Sequence, residues 1–94
     1  NMVMMMDIKY FESRGRHIII NLVDNQSIQY VGQLKNEIKK LPLNFVEIGK
    51  SYIINLKHMR ECHVSYVVMD DGKELGISRA YRNYFNEKIL EYNS

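Results

Sequence analysis

The chain has one cysteine, one proline and five glycines among its 94 residues, and no apolar run of transmembrane length. A lone Cys62 excludes an intrachain disulfide and carries no signature of secretion. No stretch approaches the roughly 18 consecutive apolar residues of a membrane-spanning helix. The opening Asn1 to Met6 is apolar but lacks the charged leader and cleavage site of a signal peptide, so a cytoplasmic location is expected. There is no low-complexity tract, no Gly/Ser or Pro-rich linker and no internal repeat. Pro42 marks one local break. The glycines are scattered singly and form no phosphate-cradling motif.

What is present fits one small domain: 46% apolar and 26% charged residues, enough for a single core. The 13 Lys+Arg against 11 Asp+Glu give a net charge of +2. That balance permits nucleic acid without implying it, so the placement of the cations decides.

Asp7 to Ser13 reads as a strand, and Arg14-Gly15-Arg16 as a turn in which glycine supplies a positive φ. His17 to Val23, centred on Ile18-Ile19-Ile20, reads as a buried strand. Asp24-Asn25-Gln26 turns the chain into a return strand over Ser27 to Val31. Gln33 to Leu41 carries Leu34, Ile38 and Leu41 at helical spacing, with Lys35, Glu37, Lys39 and Lys40 outward, and Pro42 stops it. Three β-rich pieces follow: Phe45 to Ile48, Tyr52 to Ile54, and Met59 to Met69 with a bend near His63. Asp71-Gly72 predicts a hairpin between Val67–Met69 and Leu75–Ile77. Ser78 is placed to cap a closing helix, Arg79 to Tyr92, whose Tyr81, Phe85, Ile89 and Tyr92 share a face. The expected fold is mostly β (α+β): a small antiparallel domain with two short helices.

Few residues suggest catalysis. His58, Cys62 and His63 lack a fourth ligand and a paired zinc spacing, and on an alternating strand Cys62 and His63 point to opposite faces. Cys62 is read as a small core residue, and His58 and His63 as surface or edge residues. Asp70-Asp71-Gly72-Lys73 lacks the spacing of a calcium loop and reads as a turn. Glu12, Glu47, Glu61 and Glu74 lie on separate elements with no cue that they converge. Neither an enzyme nor a cofactor is expected.

The cations are more informative. Arg14, Arg16 and His17 cluster in one turn, Lys50 and Ser51 follow Gly49, Lys57, His58 and Arg60 lie near the next bend, and Arg79 and Arg82 open the last helix. Such residues could form one phosphate-tracking face, with arginine available to base edges, or could simply be solvated turns.

These residues also carry a family resemblance. Phe45-Val46-Glu47-Ile48-Gly49-Lys50-Ser51-Tyr52-Ile53-Ile54-Asn55-Leu56 resembles the central signature of the LytTR family of DNA-binding domains: an aromatic, an Ile-His-Lys/Arg-Ser-Tyr core, two β-branched residues and an asparagine. Asp7 to Ser13 is similar to its opening strand, Tyr30 to Leu34 to the entry of its first helix, and Asp71 to Leu75 with Ile77-Ser78-Arg79 to its last hairpin and helix start. The resemblance implies the output domain of a bacterial response regulator, reading double-stranded promoter DNA, with paired repeats the family's habit, through loops rather than a recognition helix. It implies base readout by Arg16 or His17 and by Arg79, with Lys50 at a further contact position; phosphate contacts are expected from Lys50, Ser51, Lys57 and Arg82, and Arg14 is counted with them as a DNA-binding residue. Two departures stand out. Gly49 replaces the usual histidine, which removes one polar contact and predicts a looser loop; the first turn is short. The start at the opening strand suggests a domain excised from behind a receiver domain, with Asn1 an added residue. A protein-interaction or ligand-sensing β domain that pairs through strand edges is the alternative, and an enzyme would need an unusually reactive Cys62.

Overall fold

The computed structural model describes residues 2–94; the expectation for Asn1 lies outside them. Eight strands and two short α-helices follow one another: β1 (Ile8–Arg14), β2 (His17–Leu22), β3 (Ser27–Val31), α1 (Leu34–Glu37), β4 (Phe45–Glu47), β5 (Tyr52–Asn55), β6 (Met59–Cys62), β7 (Tyr66–Met69), β8 (Glu74–Gly76) and α2 (Arg82–Asn93). They form a five-stranded sheet in the order β3-β2-β1-β5-β4 and a three-stranded sheet in the order β6-β7-β8. All pairings are antiparallel, as the lack of βαβ alternation predicts.

Alternation along the strands makes two cores, one on each face of the larger sheet. On one face Phe11, Ile18, Leu22, Phe45 and Ile53 pack under Leu34, with Ile38 and Leu41 at the margin. On the other, Tyr10, Val46, Ile54 and Leu56 meet Val67, Met69 and Leu75 of the smaller sheet and Phe85 of α2. The register between β1 and β2 slips between Ile8 and Tyr10, leaving Lys9 as the extra residue of a β-bulge. The bulge lets Ile8 and Phe11 serve one core while Tyr10 serves the other.

Turn chemistry behaves as the residue types dictate. Gly15 (φ 61°) and Gly72 (φ 88°) both occupy the left-handed region, and Asp24 and Asn25 share it at the β2–β3 turn.

Three local expectations are corrected. The first helix is a single α-turn, Leu34–Glu37, continued by a 3₁₀ turn over Ile38–Lys40. Leu41 is already extended (φ −100°, ψ 148°), as a residue before proline should be. The last helix begins as a 3₁₀ turn over Arg79–Tyr81, and the Ser78 side chain makes no capping bond; its backbone N–H donates to the Ile48 carbonyl instead. Phe85 is fully buried and Tyr81 and Ile89 pack at the core margin, but Tyr92 is exposed.

Cys62 is exposed on the edge strand β6 rather than in the core. Although the residue is exposed, partial desolvation of its thiol pushes the pKa up, which disfavours the reactive thiolate. His58 is not a free surface residue either. Its side chain is only 15% exposed, with Nδ1 2.6 Å from an Asp70 carboxylate oxygen and Nε2 2.6 Å from the Met6 carbonyl. His63 is exposed, stacks on Tyr66 and lies 2.8 Å from Glu61. Among the described residues, no cluster of three or more His, Cys, Asp or Glu could hold a metal, and no helix is long and apolar enough to cross a membrane.

Candidate nucleic-acid interface

Three loops meet at one end of the larger sheet because backbone hydrogen bonds join them. The Arg14-Gly15-Arg16 turn closes β1 and β2, where Arg14 pairs with His17. Antiparallel β1 and β5 bring the end of β1 against the start of β5, so the Ser13 N–H donates to the Ser51 carbonyl at 2.9 Å. The Ser78 N–H donates to the Ile48 carbonyl at 2.8 Å, which seats the Ser78-Arg79 loop beside Gly49-Lys50. On the other flank, the Gly32 N–H donates to the Arg16 carbonyl at 3.1 Å and draws the start of α1 into the same face.

Gly49 is therefore not a loosened position. It is buried, and a Cβ there would lie 2.5 Å from the Ser78 hydroxyl oxygen. A Cβ there would displace only the rotatable Ser78 hydroxyl, so it is the bonds from the Ser78 N–H and between the Ile48 N–H and the Tyr52 carbonyl that hold the segment.

Between these loops runs an open groove of about 480 Å³, lined by Ser13, Gln33, Lys35, Glu47, Lys50 and Tyr81 with the backbone at Gly15, Gly32 and Gly49. Nothing in the sequence gives Gln33, Lys35 or Tyr81 a binding role; Tyr81 reads there as part of the apolar face of the last helix. Lys35 reads simply as an outward helical residue, and only the Gly32–Arg16 bond shows that this helix starts beside the first turn. The one groove carboxylate, Glu47, accepts a hydrogen bond from the Tyr84 hydroxyl at 3.0 Å. Burial first, and then that bond, push the Tyr84 pKa up to about 12, so the phenol stays a donor.

The distribution of ion pairs sharpens the picture. Arg14 is paired with Glu12, Lys40 with Glu37, Arg60 with Glu61, Lys88 with Glu91 and Lys9 with Asp71. Among the described residues Arg16, Lys35, Lys50 and Arg79 have no carboxylate within ion-pairing distance, and all four are exposed at or beside the groove. An exposed cluster of cations that outnumbers the groove's single carboxylate raises the local potential and draws anions.

Of the eight residues read from the sequence as contacts, Arg14, Arg16, His17, Lys50, Ser51 and Arg79 come together here. His17 is half-buried at the start of β2, whereas Arg16 is exposed. Arg82 lies just beyond Arg79, but its Nε donates to the Ile77 carbonyl at 3.4 Å, which ties it to the chain's own backbone. Lys57 is not brought to this face. It follows the far end of β5, about 13 Å of strand away from Lys50, in the region of the His58–Asp70 and Lys9–Asp71 pairs.

An antiparallel β-domain presenting basic loops around a groove has the layout of a strand-and-loop binding module. The sequence profile of the LytTr DNA-binding domain matches residues 1–90, and the chain belongs to that family. A similar solved structure is the LytTr DNA-binding domain of a protein described as a methyl-accepting/DNA response regulator from Bacillus cereus. It is 22% identical, with a TM-score of 0.83 over 93% of this chain and 84% of that one, and it shares the fold. No curated protein matches.

Proposed function

We propose that this domain binds double-stranded DNA sequence-specifically and regulates transcription as the output domain of a response regulator. The observation that carries the reading is the joining of three loops by main-chain hydrogen bonds into one face bearing unpaired Arg16, Lys50 and Arg79. Rigid loops holding arginine can present a bidentate donor pair to guanine, and lysine and hydroxyl groups can hold phosphates. Arg16 and Arg79 are the base-reading candidates, with His17 beside the first. Lys50, Ser51, Arg14 and Arg82 are the backbone candidates. Lys57 stands apart and makes a suitable control. The likeness to the DNA-binding domain of a protein described as a response regulator supports the regulatory context.

Fluorescence anisotropy against a random duplex pool, with sequencing of the bound fraction, tests the proposal. A short motif should be enriched. If about five phosphates are neutralised, affinity falls on the order of 500-fold between 50 and 200 mM salt. Arg79→Ala should cost roughly 1–3 kcal/mol and relax one motif position, while Lys57→Ala leaves both motif and affinity nearly unchanged. Absence of duplex binding at low salt would favour the alternative of a protein-interaction module.

A further inference from the structure

The groove contains a charge arrangement that the three loops do not explain. Lys35 of α1 and Lys50 of the second loop line the same open space. Neither has a carboxylate within ion-pairing distance among the described residues, and together they outnumber the groove's one carboxylate, Glu47, which the neutral Tyr84 hydroxyl orients without cancelling its charge. Two like charges facing one concavity repel each other, and the repulsion is relieved when an anion sits between them.

The segment that carries Lys35 is firmly placed. Its first residue, Gly32, is bonded to the Arg16 carbonyl, and a Cβ at Gly32 would meet Ile18 at 3.1 Å and Tyr30 at 3.2 Å. Leu34 is buried in the core. The Asn36 and Glu37 N–H groups both donate to the Gln33 carbonyl and close the turn. Lys35 thus projects from a backbone fixed on both sides, which lowers the entropy lost when its ammonium is engaged. The opening is also too large for a single ion: about 480 Å³ compares with roughly 30 Å³ for one water. A length of sugar–phosphate backbone suits both the size and the charge.

We propose that Gly32–Lys35 is a fourth DNA-contacting element, and that Lys35 and Lys50 clamp one backbone phosphate seated in the groove, with Gln33 beside it. This rests on the DNA-binding reading above and extends it from loops to the start of the first helix. A phosphate contact positions the duplex without reading sequence, so Lys35 sets affinity and its salt dependence, not the preferred motif.

The test is a salt titration of duplex binding by the whole domain, comparing Lys35→Ala with Lys39→Ala and Lys35→Arg. Lys39 is an equally exposed cation on the same short helical stretch that does not line the groove. Losing one phosphate contact reduces the slope of log affinity against log salt by about 0.9, which makes the loss of affinity between 50 and 200 mM roughly 3.5-fold smaller. That change is expected in Lys35→Ala, with the enriched motif unaltered. Lys39→Ala should keep the wild-type slope, and Lys35→Arg should restore it. Matching slopes for the two alanine variants, whether both changed or both unchanged, would overturn the proposal, as would an altered motif in Lys35→Ala. Failure of the wild-type domain to bind any duplex would remove the DNA-binding reading along with this one. Binding with Lys35→Ala indistinguishable from Lys39→Ala would remove only the fourth element.

Discussion

Asn55 ends the signature segment, and its position in the structure assigns it to the scaffold rather than to the ligand. The side chain is completely buried. Its amide donates to the Ile8 carbonyl at 2.9 Å, and its carbonyl oxygen accepts from the Asn44 amide at 2.8 Å and the Lys57 N–H at 3.0 Å. One side chain thus ties the start of β1, the approach to β4 and the turn after β5. Each such bond contributes about 1 kcal/mol net, and leaving a buried carbonyl unpaired costs about as much again or more. Asn55→Ala should therefore lose about 3–4 kcal/mol, a large part of the roughly 5–15 kcal/mol typical of a domain. At about 4–8 °C per kcal/mol for this size, the melting temperature should fall by roughly 12–30 °C. Asn44→Ala, which removes only one of the three bonds, should lose about 1 kcal/mol. Urea unfolding followed by circular dichroism measures both. A loss of about 1 kcal/mol or less for Asn55→Ala would refute the reasoning. So would a folded, equally stable variant that had lost DNA affinity, since that outcome would make Asn55 a contact residue.

Two further predictions concern the opposite end of the sheet. Burial of His58 works against its charged ring, but the bonds to the Met6 carbonyl and the Asp70 carboxylate outweigh it and raise the pKa above the ordinary 6.5. A raised folded value means that this stabilisation is complete below pH 6.5 and disappears as the pH rises through the folded pKa. Urea midpoints should fall over that interval in the wild type and stay flat in His58→Gln; parallel curves would contradict it. Lys9 is 8% exposed and bonded to Asp71, so Asp71→Ala strands a buried ammonium and should cost about 3 kcal/mol. Lys9→Met, which removes the charge but keeps the packing, should cost less; the reverse order in thermal melts would show that the pair is not what holds the bulge.

Much of the fold is legible in the sequence because period-two alternation, positive-φ turn residues and Pro42 are local signals. β3 is found with its expected limits, and the Asp71-Gly72 hairpin forms. One miss is itself local, and the others occur where tertiary contacts override local pattern. The expected helix over Gln33 to Leu41 shrinks because Pro42 forces Leu41 into extended geometry. Ser78 abandons its capping role because its N–H has a better-placed partner in the Ile48 carbonyl. Cys62 falls on an edge strand, where a small apolar residue has nothing to bury it. For the interface, clusters within one loop are readable, but convergence is not. Lys57 looks equivalent to Lys50 along the chain, and only the direction of β5 separates them. Lys35 looks like an ordinary outward lysine until Gly32 is seen bonded to Arg16.

The main-chain bonding of the three loops bears on how domains of this shape can acquire new target sequences. Because the first loop is bonded to the second, and the second to the third through the Ser78 N–H and the Ile48 carbonyl, lengthening any one loop displaces its neighbours as well. Diversification is then channelled into exchanging side chains on a fixed frame, at Arg16, Lys50 and Arg79, rather than into insertions. A library built on this scaffold should retain folded members when those three positions are randomised, and lose them when residues are added between Ile48 and Ser51.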